Sequence, residues 1–330
     1  MLKKTLDIII NLIPLKLFDI FWGHKVIGVE YHLSSDEKLP HINHLFNYKS
    51  NKELETDLLW LKNRYQFISL QEYYNNSLKK TKQKLLTFDD GYIELFTNVL
   101  PILEKHSIPA IFFLTTNFTI NNEKFYRNSI SLIIDKLKYL DQNALNKCLK
   151  KINDFSLLKN ELDTETYIDL LKKIKFEEKH IIEKIANLLE INPHRYFLNK
   201  KQILELNKHL LITIGAHSQD HRDFRLCSDA EIKNQIIKSS TEIKNLINQK
   251  KVPFAFPFSS KNISRKVINE IKLEHPFITP FFGESSFSNN DELILKRFQG
   301  EKTYSPYHIK TVIRQEYIYH LKDSLKRIFK

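Results

Sequence analysis

The chain has 330 residues, enough for about two domains or for one large α/β barrel with additions. Hydrophobic residues make up 42% and charged residues 27%, which excludes a disordered chain. Lys and Arg number 51 against 39 Asp and Glu, for a formal charge of +12, but there is neither a compact basic run nor the basic–aromatic interleaving of a nucleic-acid binder.

Residues 1–24 carry an apolar stretch interrupted by Asp7, Lys16 and Asp19 and broken by Pro14. That excludes a good spanning helix, and no small-residue cleavage site precedes Trp22, so secretion is not expected. An amphipathic helix able to touch a membrane surface is the expectation. From there the chain alternates. Val26–His32 reads as a strand, Leu54–Tyr65 as a helix and Phe67–Leu70 as a strand. Lys84–Phe88 is a strand ending in D-D-G, and Tyr92–His106 is an amphipathic helix. Ala110–Thr115 and Leu210–Ile214 are apolar strands. Ala230–Asn248 is a long helix with Ser228 as its N-cap. Val252–Phe256, Phe277–Phe282 and Leu293–Phe298 read as the last strands, and residues 301–330 as a closing C-terminal helix. Alternating β and α units imply a mainly parallel sheet or barrel over 25–300. The rhythm breaks from about 120 to 199, where helical periodicity marks an insertion. Because it follows the strand Ala110–Thr115, it should project over the C-terminal face of the strands.

Several chemistries are excluded by what is missing. Only 6 glycines occur and no two form G-x-G, so the dinucleotide-binding and kinase fingerprints are absent; no G-x-S-x-G exists either. Two cysteines, Cys148 and Cys227, do not make a disulfide framework and point to a reducing compartment. The cytoplasm is the expected location, with membrane association as the alternative.

Three polar clusters stand at the ends of strands, the face where α/β barrels place their sites. The first is Thr87-Phe88-Asp89-Asp90-Gly91-Tyr92. Two adjacent carboxylates after an apolar strand are costly unless a cation or a proton shares the site. One can bind a metal while the other holds a water; the alternative is a turn that caps the next helix. The second is His217-Ser218-Gln219-Asp220-His221, whose i, i+4 spacing puts two imidazoles on one side of a helical turn, as a metal site needs. Ser218 stands where a zinc protease would carry Glu. The third is Pro253 to Ser260, an aromatic strand ended by Pro257 that can wall a sugar or acyl pocket or simply be buried.

Together, T-F-D-D-G-Y, H-S-Q-D-H and F-A-F-P-F resemble the NodB-type polysaccharide deacetylases, from about Val26 to Arg297. The likeness is greatest to the branch with an F-A-Y-P-type third motif and an early Tyr-His, here Tyr31 and His32, which includes the poly-N-acetylglucosamine deacetylases. The resemblance implies a distorted (β/α)7 barrel with a helical insertion. It implies Asp89 as catalytic base, Asp90, His217 and His221 as ligands of a divalent metal (Zn2+, with Co2+, Ni2+ or Fe2+ as options), and His32 as general acid. Tyr92, Phe256, Pro257 and Phe258 fall in the substrate-binding motifs. The sequence departs from the family in having no Arg in its third motif, for which Arg297 is the candidate replacement. Ser259 stands where a Gly is usual, and Phe258 where a Tyr is common.

The expected function is hydrolytic removal of N-acetyl groups from amino sugars of a poly- or oligosaccharide, a bacterial surface glycan by resemblance. A related metal-dependent amide or ester hydrolase (a deformylase, O-acetyl esterase or cyclic amidase) and a non-catalytic glycan-binding homologue are the alternatives. No nucleic-acid partner is expected, and the sequence leaves the oligomeric state open.

Overall fold

The computed structural model describes residues 28–75, 83–153, 164–191, 196–260, 263–283, 293–301 and 309–314, together with Pro14. The expected N-terminal helix, and the C-terminal one apart from 309–314, lie outside these residues.

Among the described residues there are eight parallel strands: β1 (Gly28–Tyr31), β2 (Gln66–Phe67), β3 (Gln83–Phe88), β4 (Ala110–Leu114), β5 (Ile212–Ala216), β6 (Val252–Ala255), β7 (Ile278–Gly283) and β8 (Ile294–Gln299). The order is β1-β8-β7-β6-β5-β4-β3-β2, and β1 also pairs with β3. That second pairing closes seven strands into a barrel, while β2 lies on the N-terminal end of β3. The fold is therefore a parallel α/β barrel, as the alternation implied, with the seven strands that the resemblance implied.

The period of two along each strand sorts side chains into two layers. Leu85, Ile111, Phe113, Ala255, Phe282 and Leu295 form a packed apolar cluster. Leu86, Phe88, Phe112, Ile214, Phe254 and Phe281 form another with the surrounding helices, and it includes Leu54, Leu58, Ile236 and Ile268. On β1 and β8 the residues that alternate with the second set, Glu30 and Arg297, are polar and buried. The first cluster is thus the barrel interior, and its C-terminal end is polar.

The helices that cover the barrel have ordinary local causes. α1 (Asn51–Lys62) and α10 (Asp229–Ile247, long) each start at a serine, Ser50 and Ser228, that forms a capping box with Glu53 and Glu231. Between β3 and β4 the chain makes one π-helical stretch, Leu95–Val99, and then α3 (Leu100–His106), with Pro101 in its first turn. The single helix expected over 92–106 is thus split. The strand expected over 67–70 is only β2, because Leu70 already begins α2 (Leu70–Asn75). β5 starts two residues later than expected, since Leu210 is 98% exposed.

After β4 comes the short α4 (Thr116–Thr119); the insertion contains α5 (Tyr126–Lys138), α6 (Gln142–Asn153), α7 (Thr164–Lys173) and α8 (Lys179–Leu188), and α9 (Lys200–Asn207) leads into β5. It has its own core, in which Ile133, Ile134, Tyr167, Ile182 and Ile185 pack with Leu33, Tyr92 and Phe118. The last three follow β1, β3 and β4, so the insertion rests on the C-terminal side of the barrel. Among the described residues no helix is long and apolar enough to cross a membrane.

Gly28 tests the closing seam. It lies opposite Arg297, and an added Cβ would stand 2.7 Å from Arg297 Cγ. Gly28→Ala should cost about 1–3 kcal/mol, as overpacking typically does. Urea unfolding checks this; an unchanged midpoint would mean that the seam has slack.

Candidate active site

The polar mouth is built around one guanidinium. Arg297 is 1% exposed. Its Nη1 donates to Asp89 Oδ1 at 2.6 Å and to Thr87 Oγ1 at 3.1 Å, and its Nη2 donates to Asp89 Oδ2 at 2.9 Å. Glu30 Oε2 lies 3.0 Å from Nη2. The strands dictate the meeting: Glu30 is on β1, Arg297 on β8, and Thr87 and Asp89 at the end of β3. Burial favours the neutral form of Asp89, but Arg297 first, and then His217 and His32, outweigh it and hold the carboxyl below its usual range. Glu30 goes the other way. Burial pushes it up, and its share of Arg297 does not compensate.

Asp90 turns away from Asp89 because the backbone reverses there, with φ 75° at Asp90 and 88° at Gly91. The side chain does not cap a helix. Its Oδ1 lies 3.0 Å from His221 Nε2 and 3.4 Å from His217 Nε2. Ligand atoms of these three residues all lie within 4.8 Å of one another.

The expected helical turn at 217–221 is not formed. The segment is a loop in which Ser218 (φ 65°) and His221 (φ 55°) are left-handed. The loop is tied down by its own polar side chains. The His221 N–H donates to Ser218 Oγ, and Gln235 Oε1 accepts from the N–H groups of Gln219 and Asp220. Arg222 grips Asp220 through Nε and Nη2. The ring centroids of the two histidines end 5.0 Å apart.

The donor set fits a divalent metal. His217 Nδ1 lies 3.0 Å from the Ala255 carbonyl, which fixes Nδ1 as its donor and leaves the Nε2 lone pair facing Asp90. Burial lowers His217 to about 4, against the pull of Asp89, so its imidazole is neutral. Asp90 Oδ1 is buried and makes no hydrogen bond of good geometry, as expected of a ligand oxygen. Burial raises the Asp90 carboxyl, but His221 outweighs this and keeps it well below the carboxylate range.

A cavity of about 240 Å³ opens over these groups. Tyr92 and Phe256 line it from beneath, and Phe258, Phe46 and Arg127 line it further out. Pro257 is buried but is not part of the lining. Phe258 carries φ 56°, so the left-handed position after β6 is Phe258 itself. Ser259 needs no positive φ, and the missing Gly there has no conformational cost. Tyr92 is fully buried against Phe197, with its hydroxyl 3.4 Å from Asn128 Oδ1.

His32 lies on the cavity wall, its ring 4.9 Å from that of Phe46. Its partner is Glu301, just past β8. Glu301 Oε1 accepts from the His32 backbone N–H at 3.1 Å, and Oε2 lies 3.2 Å from Nδ1. Burial would lower His32, but the bond to Glu301, and then the fields of Asp90, Glu301 and Glu30, raise it to about 10. Neither Glu301 nor Glu30 belongs to a motif; the signal that marks them is period two, which runs from Arg297 through Gln299 to Glu301 and from His32 back to Glu30. Two further histidines that follow β1, His41 and His44, do not line the cavity. His41 stacks on Tyr196 beside Glu94, which burial raises to about 7, and His44 faces Asp135.

The profile of the polysaccharide deacetylase family matches residues 77–274. No curated protein matches the sequence. Among solved structures, IcaB from Ammonifex degensii is similar with a TM-score of 0.53 at 14% identity, over 88% of this chain and 98% of that one. The deacetylase PplD from Streptococcus pyogenes, solved with acetate, gives 0.53 at 16% over 88% and 98%. A polysaccharide deacetylase from Bacillus cereus gives 0.52 at 14% over 88% and 69%. At these identities the likeness concerns the fold.

If Asp90, His217 and His221 hold a metal, the protein should bind about one divalent ion per chain and His217→Ala should lose it. Metal analysis after loading with Zn2+ checks this. Full metal content in the variant would end the assignment.

Proposed function

Because the chain belongs to the polysaccharide deacetylase family, we propose that it is a metal-dependent hydrolase that removes N-acetyl groups from the amino sugars of a poly- or oligosaccharide. The observation that carries this reading is the pairing of two differently tuned carboxylates at one cavity. Asp89 is clamped by Arg297, and Asp90 faces His217 and His221.

A divalent ion bound by Asp90, His217 and His221 supplies Lewis-acid chemistry, acidifying a water and polarising the acyl oxygen. The residues of the chain do the rest. Asp89 is the general base. Arg297 holds it charged and oriented, and Asp89 takes the proton from the attacking water. The position of Arg297 on β8 lets it replace an arginine that family relatives carry in the third motif. A backbone N–H at Tyr92 or Phe258 donates to the developing oxyanion. Phe256 and Phe258 wall the acyl group and the sugar ring. An amine leaves poorly unless its nitrogen gains a proton, and His32 supplies it, held in place and kept protonated by Glu301. The C–N bond breaks, and acetate and the free amine depart.

Acetate release from chito-oligosaccharides by the metal-loaded protein tests the reading. Asp89→Asn should keep the metal and lose turnover by several orders of magnitude; an active Asp89→Asn enzyme would remove Asp89 from the role of base. Release of formate alone, or turnover of esters alone, would point to the related hydrolases.

His32→Ala should lower turnover about 10²–10⁴-fold, the usual worth of general acid catalysis. The loss should shrink for an ester or an activated aryl amide, which need less protonation. Glu301 raises the His32 pKa, so Glu301→Gln should move the alkaline limb of the kcat/KM profile to lower pH. Equal losses on all leaving groups and an unmoved limb would say that His32 only positions substrate.

A further inference from the structure

The charged groups on the cavity floor are engaged with one another, but Arg127 at its rim is not. Arg127 is exposed and lines the cavity. Its Nε donates to the Tyr126 hydroxyl at 3.3 Å. The guanidinium carbon stands 4.9 Å from the centre of the Phe258 ring. Among the described residues it has no ion-pair partner. Its field reaches Asp223, but Arg225 already binds that carboxylate through Nε and Nη2 at 2.9 and 2.5 Å. Arg127 is the second residue of α5, whose first turn carries no acidic side chain.

Phe258 links this cation to the chemistry. Its other contact is His221, ring centroids 4.8 Å apart and nearly edge-on. One aromatic ring therefore separates Arg127 from a candidate metal ligand. The guanidinium lies over that ring within cation–π distance, and among the described residues its Nη groups have no acceptor.

We infer that Arg127 is a specificity-determining residue that binds a carboxylate or phosphate carried beside the acetamido sugar, so that the preferred substrate is an acidic glycan. Both anions offer the paired oxygens that a guanidinium takes bidentately. This rests on the deacetylase reading. It differs from a neutral amino-sugar polymer as substrate, which would offer Arg127 only uncharged hydroxyl and amide acceptors.

The test compares acetate release from three oligosaccharides of equal length: a neutral chito-oligosaccharide, one alternating N-acetylglucosamine with glucuronate, and a 6-O-phosphorylated chito-oligosaccharide. The wild-type enzyme should prefer an acidic substrate, and the arm that is preferred identifies the anion. Arg127→Gln should cut that preference about 10-fold, chiefly through KM, and Arg127→Lys should restore part of it. Added salt should erode it as well. No preference for either acidic substrate, or equal losses on all three in Arg127→Gln, would overturn the inference while leaving the deacetylase reading standing. If none of the three is turned over, that reading fails. Calorimetric binding of the acidic oligosaccharides to wild type and to Arg127→Gln then decides: weaker binding to the variant supports the assignment, and equal binding ends it.

Discussion

Burial of the Arg297 charge is the constraint on which the upper half of the barrel depends. A guanidinium taken out of water is costly unless its donors find acceptors and its charge is met. Here Asp89 accepts it bidentately, Glu30 lies against Nη2 and Thr87 takes a further bond, while Nε is left without an acceptor. These partners sit on β1 and β3, and Arg297 itself is on β8. The ion cluster therefore lies at the seam where β1 joins both neighbours and the sheet becomes a barrel. Gly28 completes the arrangement, because only a residue without Cβ leaves room for the Arg297 methylenes opposite.

That one cation also divides labour among the acids around it. Asp89 receives the aligned, two-bond contact and stays charged, whereas Glu30 shares the remainder and is pushed up by burial. The histidines part in the same manner. His217, with its Nδ1 given to the Ala255 carbonyl, is kept neutral by burial, and His32, paired with Glu301, is kept protonated. Environments that drive like groups apart are what an acid–base site requires.

The backbone bears the cost of this placement. Asp90, Ser218, His221 and Phe258 all have positive φ without being glycine. Such residues cost about 1–3 kcal/mol each and persist where surrounding contacts over-determine them. Gln235, Asp220 and Arg222 provide those contacts for the histidine loop. The i, i+4 spacing of His217 and His221 therefore conveyed that they meet, but not how. A helical turn and a loop with two left-handed residues both bring positions 217 and 221 together, and only packing against α10 selects the loop.

Legible in the chain were the alternation of strands and helices, the place of the helical segment between β4 and β5 and the residue types of the candidate metal site. These are local signals: apolar runs such as Ala110–Leu114, serine caps, and carboxylates and imidazoles a few residues apart after a strand. The split of the 92–106 helix, the brevity of β2 and the late start of β5 were not legible, since π and α turns share one periodicity and Leu210 is an apolar residue left in water. The tertiary structure alone decided which charges are partners. Glu301 is 269 residues from His32, and Arg297 is 208 from Asp89. Arg127 reaches the cavity only because the insertion rests on the C-terminal side of the barrel. Contacts of that separation leave no periodic trace in the chain; they exist because closing a seven-stranded barrel brings its first and last strands together.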